Sequence, residues 1–223
     1  MRHSTLRLLT TYPDNRLSII ARGGMAYSLC RTWPFFVMLG ILLSTVLVNP
    51  ADTPATDMQD EHSTYGILFG YGSSYPGWGS TKIRVETVDA VFRYKLPKST
   101  TIGSSWYTGY HSLLVEVPVN FLVDRSGPPM IGCSFLAEYT FTGTDGLRPY
   151  VFAGGGPLYV PADIPGMGTH MNGHYQCGLG IRYPLEDRHA LLFEVRYHHI
   201  SNAGTADPND PLNSLKFLIG YTF

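Results

Sequence analysis

His189-Ala190-Leu191-Leu192-Phe193-Glu194-Val195-Arg196-Tyr197-His198-His199-Ile200-Ser201 alternates between apolar and polar side chains along most of its length. Successive residues of a β-strand point to opposite faces of a sheet, so residues i and i+2 share a face. The apolar face carries Leu191, Phe193, Val195 and Tyr197, and the polar face carries Glu194, Arg196 and His198. The segment is therefore predicted to be a β-strand with two unlike faces.

Seven further segments of the 223-residue chain show the same alternation and are separated by turn residues. They are Thr64–Gly72, Thr87–Leu96, Tyr110–Val123, Met130–Phe141, Arg148–Val160, His174–Pro184 and Ser214–Phe223. The phase of the fifth segment in chain order is ambiguous, because it contains the glycine run Gly154-Gly155-Gly156, which predicts tight backbone packing or a kink. The abundance of glycine (24) and tyrosine (15) suits a protein of short strands and turns.

Two architectures fit eight amphipathic strands. In a soluble barrel or sandwich the apolar faces form the core, whereas in an outer-membrane barrel they face lipid and the polar faces fill the lumen. The polar faces here mix both signs of charge with glycine, which suits a narrow interior where side chains pack and pair; they carry Asp89, Arg93, Glu116, Glu138, Arg182, Glu194, Arg196 and Lys216. Aromatic residues near the strand ends suit interfacial girdles. We predict an all-β fold, an eight-stranded antiparallel up-and-down transmembrane β-barrel over residues 64–223, with a soluble β-barrel as the alternative.

Residues 1–50 are predicted to be a signal peptide region. Phe35–Val48 is an uncharged apolar run that is too short for a comfortable spanning helix and is typical of the core of a secretory signal. Met25 is the expected true start, cleavage is expected near residues 51–55, and residues 51–63 are expected to form a flexible leader. An uncleaved amino-terminal anchor is the alternative. Export and a lipid-facing barrel together predict the outer membrane of a Gram-negative cell.

The composition excludes several kinds of ligand. The formal net charge of −1 implies no nucleic acid or other polyanionic partner. No glycine-rich phosphate loop and no zinc spacing is present, so neither a cofactor nor a metal is expected. His170 and His174 flank a glycine-containing loop but suggest no third metal ligand. Cys133 and Cys177 are predicted to face outward from non-neighbouring strands, so no disulfide is expected.

Glu116 and Glu138 lie on the polar faces of adjacent predicted strands. They can be interpreted as paired catalytic acids or as members of ion pairs inside the barrel. Because Arg93 and Arg182 lie on the polar faces of other strands, we expect interior ion pairs.

Parity assigns the polar residues at the end of the seventh strand to different surfaces. His199 and Ser201 continue the apolar, lipid-facing side, whereas His198 falls on the lumen side. Asn213 shares parity with the apolar face of the eighth strand, so it also faces outward. Counting strands from a periplasmic amino terminus places this corner at the outer rim. A histidine and a serine there offer a general base and a nucleophile, and the alternative is a polar strand end running into a turn.

The residues from His199 onward resemble those of a known family. His199-x-Ser201-Asn202-Ala203-Gly204, then Pro208-Asn209-Asp210, then the strand that opens at Asn213 is similar to the carboxy-terminal motif of the lipid A 3-O-deacylases, the PagL family. The resemblance implies that Ser201 is the nucleophile and His199 the general base. It also implies that Asn202 helps to hold the oxyanion and that Asn209 supports the loop.

Position 213 departs from the family pattern, because the acidic orienting residue of the family is replaced by asparagine. A carboxylate stabilises the imidazolium that forms during attack, whereas a neutral amide only orients the ring. Cysteine hydrolases nevertheless work with Cys-His-Asn. Asp207 and Asp210 lie in the same loop and are alternative acidic partners.

The resemblance implies an outer-membrane esterase that removes an ester-linked 3-hydroxyacyl chain from lipid A on the lipid-facing barrel surface. Its partner is lipid A or lipopolysaccharide, reached laterally in the membrane by a monomer or a homodimer. The sequence is also compatible with two other functions. One is a non-catalytic structural or adhesion barrel in the outer membrane, favoured by Asn213, and the other is a soluble or periplasmic lipid-binding barrel.

Overall fold

The computed structural model describes residues 62–143, 146–185 and 189–223. The predicted signal region, 1–50, and almost all of the predicted leader, 51–63, lie outside these described residues. Within the described part of the chain, no helix is long and apolar enough to cross a membrane.

The described residues form eight β-strands, labelled here in chain order. They are β1 (Thr64–Ser74), β2 (Glu86–Ile102), β3 (Gly109–Leu122), β4 (Met130–Gly132 and Ser134–Phe141), β5 (Arg148–Tyr159), β6 (Met171–Pro184), β7 (Ala190–Ser201) and β8 (Leu212–Thr222). A short 3₁₀ turn, Ser105–Tyr107, joins β2 to β3. All eight predicted strands are therefore present, and β2 is longer than predicted.

The two segments of β4 are one strand in register. Met130 pairs with Asn120 of β3, and Ser134 pairs with Glu116, so four residues of one strand match four of the other. The interruption falls at Cys133, whose N–H donates to the carbonyl of Pro157 on β5 at 3.1 Å. Because proline lacks an N–H, the reciprocal ladder bond cannot form there.

The strands close into a barrel. Each strand pairs antiparallel with its neighbour in sequence, and β8 pairs with β1. The seam ends with the N–H of Tyr65 donating to the carbonyl of Phe223 at 3.0 Å. The prediction of a closed, eight-stranded, up-and-down barrel of the outer-membrane type is confirmed.

The outward face of the barrel is apolar. Phe92, Phe135 and Phe217 each expose more than half of their side-chain surface, although all three lie in the middle of strands. The phase of β5, which its glycines leave undefined in the sequence, places Tyr150 and Phe152 inside. The glycine run packs tightly against β4, since a Cβ on Gly156 would lie 2.0 Å from the carbonyl oxygen of Cys133.

The barrel interior is filled by charged side chains that pair with one another. Glu116 lies 2.6 Å from Arg93 and 2.8 Å from Arg196. Glu138 lies 2.8 Å from Lys95 and 3.4 Å from Arg182. The prediction that both glutamates belong to interior ion pairs is confirmed, and these carboxylates are buried away from any surface that a substrate could reach.

The connections β1–β2, β3–β4, β5–β6 and β7–β8 lie at one end of the barrel, here called the site end. Just inside this end, a buried apolar cluster closes the lumen beneath the loops; it comprises Val85, Met130, Leu158, Val160, Ala162, Ile164, Ile200 and Leu212. Ile200 lies between His199 and Ser201 in the sequence, and Leu212 directly precedes Asn213. The strand ends that carry the predicted site residues are therefore anchored in this buried cluster.

Candidate functional site

His199 and Ser201 lie at the carboxyl end of β7, and their side chains are on the outward face. Their side chains share that face because they are two residues apart. The Nε2 atom of His199 lies 3.1 Å from the Oγ of Ser201, which is hydrogen-bond distance. The structure thus brings the predicted base and nucleophile into direct contact, and both remain partly exposed.

Asn213 completes a chain of three side chains. It pairs with His199 across the β7–β8 ladder, and its Oδ1 lies 2.7 Å from Nδ1 of His199. An amide oxygen only accepts hydrogen bonds, so Nδ1 must carry the proton of the neutral ring. Nε2 is then the acceptor that faces Ser201. This is the tautomer that a general base needs to take a proton from a serine hydroxyl.

Asn213 is only 4% exposed, although its parity places it on the outward face. The β1–β2 loop, residues 75–85, folds over it. The Nδ2 atom of Asn213 donates to the backbone carbonyl of Trp78 at 2.8 Å and to Oγ1 of Thr81 at 2.9 Å. The hydroxyl of Tyr197 donates to Oδ1 at 2.6 Å. Asn213 thus has the outward parity expected from the sequence, but the β1–β2 loop covers its side chain.

Aromatic side chains surround the histidine. Tyr175 on β6 pairs with His199 in the β6–β7 ladder, and the centroids of the two rings are 6.2 Å apart. On the other side, Trp78 packs edge-on against Tyr197 at 5.2 Å. Gly173 stands opposite Ser201 in the ladder, so the nucleophile has no bulky neighbour on β6. Aromatic rings therefore line the site on both sides of the reacting groups.

The turn after Ser201 is held by two asparagines. Asn202 is buried, and its Nδ2 donates to the carbonyls of Ala206 at 2.8 Å and Pro208 at 3.4 Å. Its backbone N–H donates to Oδ1 of Asn209 at 3.0 Å. Within the described residues, no hydrogen-bond partner is found for Nδ2 of Asn209. The side-chain donors of Asn202 are therefore engaged in the turn, whereas the side chain of Asn209 lies against the backbone N–H of the residue that follows Ser201.

The two acidic residues of the β7–β8 loop do not contact the histidine. Asp210 pairs with Lys82 at 2.8 Å, and Asp207 is exposed. The position beside Nδ1 is occupied by Asn213. Neither aspartate takes the place of the family's acidic residue in this structure.

The remaining candidates lie elsewhere. His198 points into the lumen, as predicted, where its Nε2 lies 3.0 Å from Nδ1 of His174. His170 contacts the carbonyl of Val160 in the β5–β6 loop and is separate from His174. Among the described residues, no group of three or more His, Cys, Asp or Glu side chains is arranged to hold a metal ion. Cys133 and Cys177 are free thiols on strands separated by β5.

Three residues of the site were not identified as such from the sequence: Trp78, Thr81 and the hydroxyl of Tyr197. Tyr197 carries a detectable signal, since it shares the outward face with His199 two positions away. Thr81 and Trp78 carry none, because they lie in an irregular loop more than 130 residues away in the chain.

Residues 79–222 match the family model described as lipid A 3-O-deacylase (PagL), which is well over half of the chain. Two solved structures are similar in shape. The crystal structure of the outer membrane enzyme PagL gives a TM-score of 0.49 at 17% identity, over 71% of this chain and 98% of that chain. Neisserial surface protein A (NspA) gives a TM-score of 0.49 at 12% identity, over 72% of this chain and 95% of that chain. None of the curated proteins matches the chain by sequence. The family match includes every residue of the Ser201–His199–Asn213 chain and decides the assignment: this chain belongs to the lipid A 3-O-deacylase (PagL) family.

Proposed function

We propose that this protein is an outer-membrane esterase that removes an ester-linked 3-hydroxyacyl chain from lipid A. In this proposal residues 1–50 direct export, and the site end of the barrel faces the outer leaflet. Lipid A or lipopolysaccharide then reaches the site laterally from the membrane. The observation that carries the proposal is the hydrogen-bonded chain Ser201–His199–Asn213 on the outward surface of a barrel of this family.

The reaction begins with attack of the Ser201 Oγ on the ester carbonyl carbon, while its proton passes to Nε2 of His199. The tetrahedral intermediate collapses by breaking the bond to the sugar oxygen, which takes the proton back from Nε2. An acyl-serine and a free sugar hydroxyl result. Water then attacks the acyl-serine while His199 takes its proton. The bond between Ser201 Oγ and the acyl carbon breaks, the proton returns from His199 to Oγ, and the 3-hydroxy fatty acid leaves. Each step uses only side chains described above and water.

The turn that follows Ser201 supplies the oxyanion donor in this mechanism. The resemblance assigns that task to Asn202 and a supporting task to Asn209. The side-chain N–H groups of Asn202 already donate to loop carbonyls, whereas Nδ2 of Asn209 is unengaged within the described residues. We therefore assign the donated hydrogen bond to Asn209 and the shaping of the turn to Asn202. Preorganised donors of this kind are usually the largest single contribution to acyl transfer.

The outward position of the site fits a membrane lipid as substrate. Polar side chains are normally excluded from the lipid-facing surface of a barrel, so a partly exposed serine and histidine there need a function. Their neighbours on the same face, Tyr175 and Tyr197, are amphipathic and suit the boundary between headgroup and acyl chain. An ester carbonyl of lipid A lies at this same boundary, between the sugar and its acyl chains.

Mass spectrometry of lipid A from an outer-membrane host expressing the full chain tests the proposal. The parent is expected to remove one hydroxyacyl mass, and Ser201→Ala is expected to leave lipid A intact. Ser126→Ala, a change at an exposed serine in the β3–β4 loop at the same end of the barrel, serves as the matched control and is expected to behave like the parent. Heat-dependent gel mobility verifies that each barrel is folded.

Unchanged lipid A from a folded parent would contradict deacylation of that host's lipid A. If a simple fatty-acid ester were also left intact, the result would support a non-catalytic structural or adhesion barrel, the rival suggested by Asn213. Equal activity of the parent and Ser201→Ala would instead contradict the assignment of the nucleophile.

A further inference from the structure

The side chain of Asn213 uses its full hydrogen-bonding capacity. An asparagine has two N–H donors and two acceptor positions on its oxygen. Both donors are used, toward the carbonyl of Trp78 and the hydroxyl of Thr81, at 2.8 and 2.9 Å. Both acceptor positions are used as well, by Tyr197 at 2.6 Å and by His199 at 2.7 Å. The amide is held from both sides in one orientation.

That orientation is dictated by the loop. A backbone carbonyl only accepts hydrogen bonds, so the amide nitrogen must face Trp78 and the oxygen must face His199. The reverse orientation would place two oxygens against each other and would point an N–H at Nδ1 of His199. Nδ1 would then be the acceptor and the ring proton would move to Nε2, which is the wrong tautomer for accepting the proton of Ser201. In serine proteases, an asparagine at the orienting position causes a large loss of kcat through this tautomer error.

We propose that Thr81 is a positioning residue that, with the carbonyl of Trp78, fixes the Asn213 amide and thereby sets the tautomer of His199. The catalytic consequence rests on the proposed function, whereas the effect on the tautomer does not. A carboxylate favours the Nδ1-protonated tautomer of the histidine in either orientation, since both of its oxygens accept hydrogen bonds. Asn213 favours that tautomer only in one orientation of its amide, and the β1–β2 loop fixes that orientation. Thr81 is 3% exposed and lies behind Asn213, so it acts through the amide and does not meet the substrate.

A structural role for Thr81 is the alternative, because its Oγ1 also accepts the backbone N–H of Asn213 at 2.9 Å. The two roles separate in a double-mutant cycle. Thr81→Val keeps the shape of the side chain and removes the hydroxyl, and Asn213→Asp removes the distinction between the two ends of the orienting group. If Thr81 acts by orienting an amide, its loss has an effect only when residue 213 is an amide.

The first measurement is initial-rate kinetics of the refolded full chain in detergent micelles, with a fatty-acyl p-nitrophenyl ester as the probe. Thr81→Val is expected to lower kcat by roughly tenfold or more with little change in KM. In the Asn213→Asp background, the same change is expected to alter kcat by less than about twofold. Thr222→Val, which removes another buried threonine hydroxyl at the opposite end of the barrel, is the control and is expected to match the parent. An equal loss in both backgrounds would overturn the proposal in favour of a structural role.

The second measurement does not depend on activity. In ¹⁵N-histidine spectra, with His199→Gln used for assignment, the parent is expected to show His199 protonated at Nδ1, and Thr81→Val is expected to move the population toward Nε2. An unchanged tautomer in Thr81→Val would overturn the proposal. A parent that hydrolyses no ester but shows the expected tautomer shift would contradict the proposed function and leave the positioning role supported.

Discussion

Replacement of Asn209 by aspartate tests which residue stabilises the oxyanion. The substitution keeps Oδ1, which accepts the N–H of Asn202 at 3.0 Å, and exchanges the Nδ2 group for an oxygen. The turn therefore retains its bond while the site loses one N–H donor. Removal of one such donor costs about 10²–10³-fold in kcat, or about 2.7–4 kcal/mol. We expect a loss of this size with an unchanged free energy of unfolding.

Asn202→Asp provides the contrast. Its Nδ2 faces the carbonyls of Ala206 and Pro208, so an aspartate oxygen there would oppose carbonyl oxygens. Each buried group left unsatisfied costs about 1–3 kcal/mol. We expect the turn to loosen, with lower stability and a loss of activity that follows from it.

Both variants are measured as refolded proteins in micelles, with initial rates for activity and urea unfolding for stability. A rate for Asn209→Asp close to that of the parent would contradict the assignment of Asn209 as the oxyanion donor. Loss of activity in Asn202→Asp with an unchanged unfolding curve would contradict the same assignment. In that case Asn202 would be the oxyanion donor, as the sequence resemblance implies.

Three further predictions concern the barrel and the loop. Arg196→Met removes the partner of two buried glutamates and is expected to lower the free energy of unfolding by about 3–5 kcal/mol with no change in kcat/KM. A loss of less than about 1 kcal/mol in urea unfolding would contradict this prediction. Phe217→Arg places a charge on the lipid face midway along β8, where the native side chain is 55% exposed; the expected cost is about 2–4 kcal/mol in the same assay, against little change for Phe217→Leu. Gly79→Ala adds a Cβ 2.9 Å from Nδ2 of Asn213 at a backbone φ of +61°, so kcat is expected to fall more than KM rises, and unaltered initial rates would speak against contact between this loop and the site.

The eight strands could be predicted from the sequence because each has two unlike faces. Period-two alternation over about ten residues is a weak signal in any one strand, but eight such segments separated by turns reinforce one another. The signal fails where side chains are missing. In β5 the run Gly154–Gly156 leaves the phase undefined, and only the contact of Tyr150 and Phe152 with the interior decides it.

Only the site residues that lie on strands could be predicted from the sequence. Parity places His199 and Ser201 on one face, and the β7–β8 pairing brings Asn213 beside them. The bond from Asn213 to Thr81 joins residues 132 positions apart. Thr81 lies in an irregular loop, where no periodic pattern reports which way a side chain points. Loop contacts of this kind depend on the tertiary structure, so no local property of the sequence could have revealed them.

An asparagine at position 213 separates two contributions that a carboxylate makes together. A carboxylate selects the tautomer of the histidine and also stabilises the imidazolium formed during attack. Asn213 can make the first contribution, because its four hydrogen bonds fix one orientation, but it carries no charge for the second. Its described partners, Trp78, Thr81, Tyr197 and His199, include no cation to offset the desolvation of a buried carboxylate. The neutral amide thus avoids the desolvation cost of a buried carboxylate in the resting protein. It also stabilises the imidazolium of His199 less than a carboxylate would during attack. Catalysis here is therefore expected to depend more heavily on the oxyanion donor of the 202–211 turn than it would with a charged orienting residue.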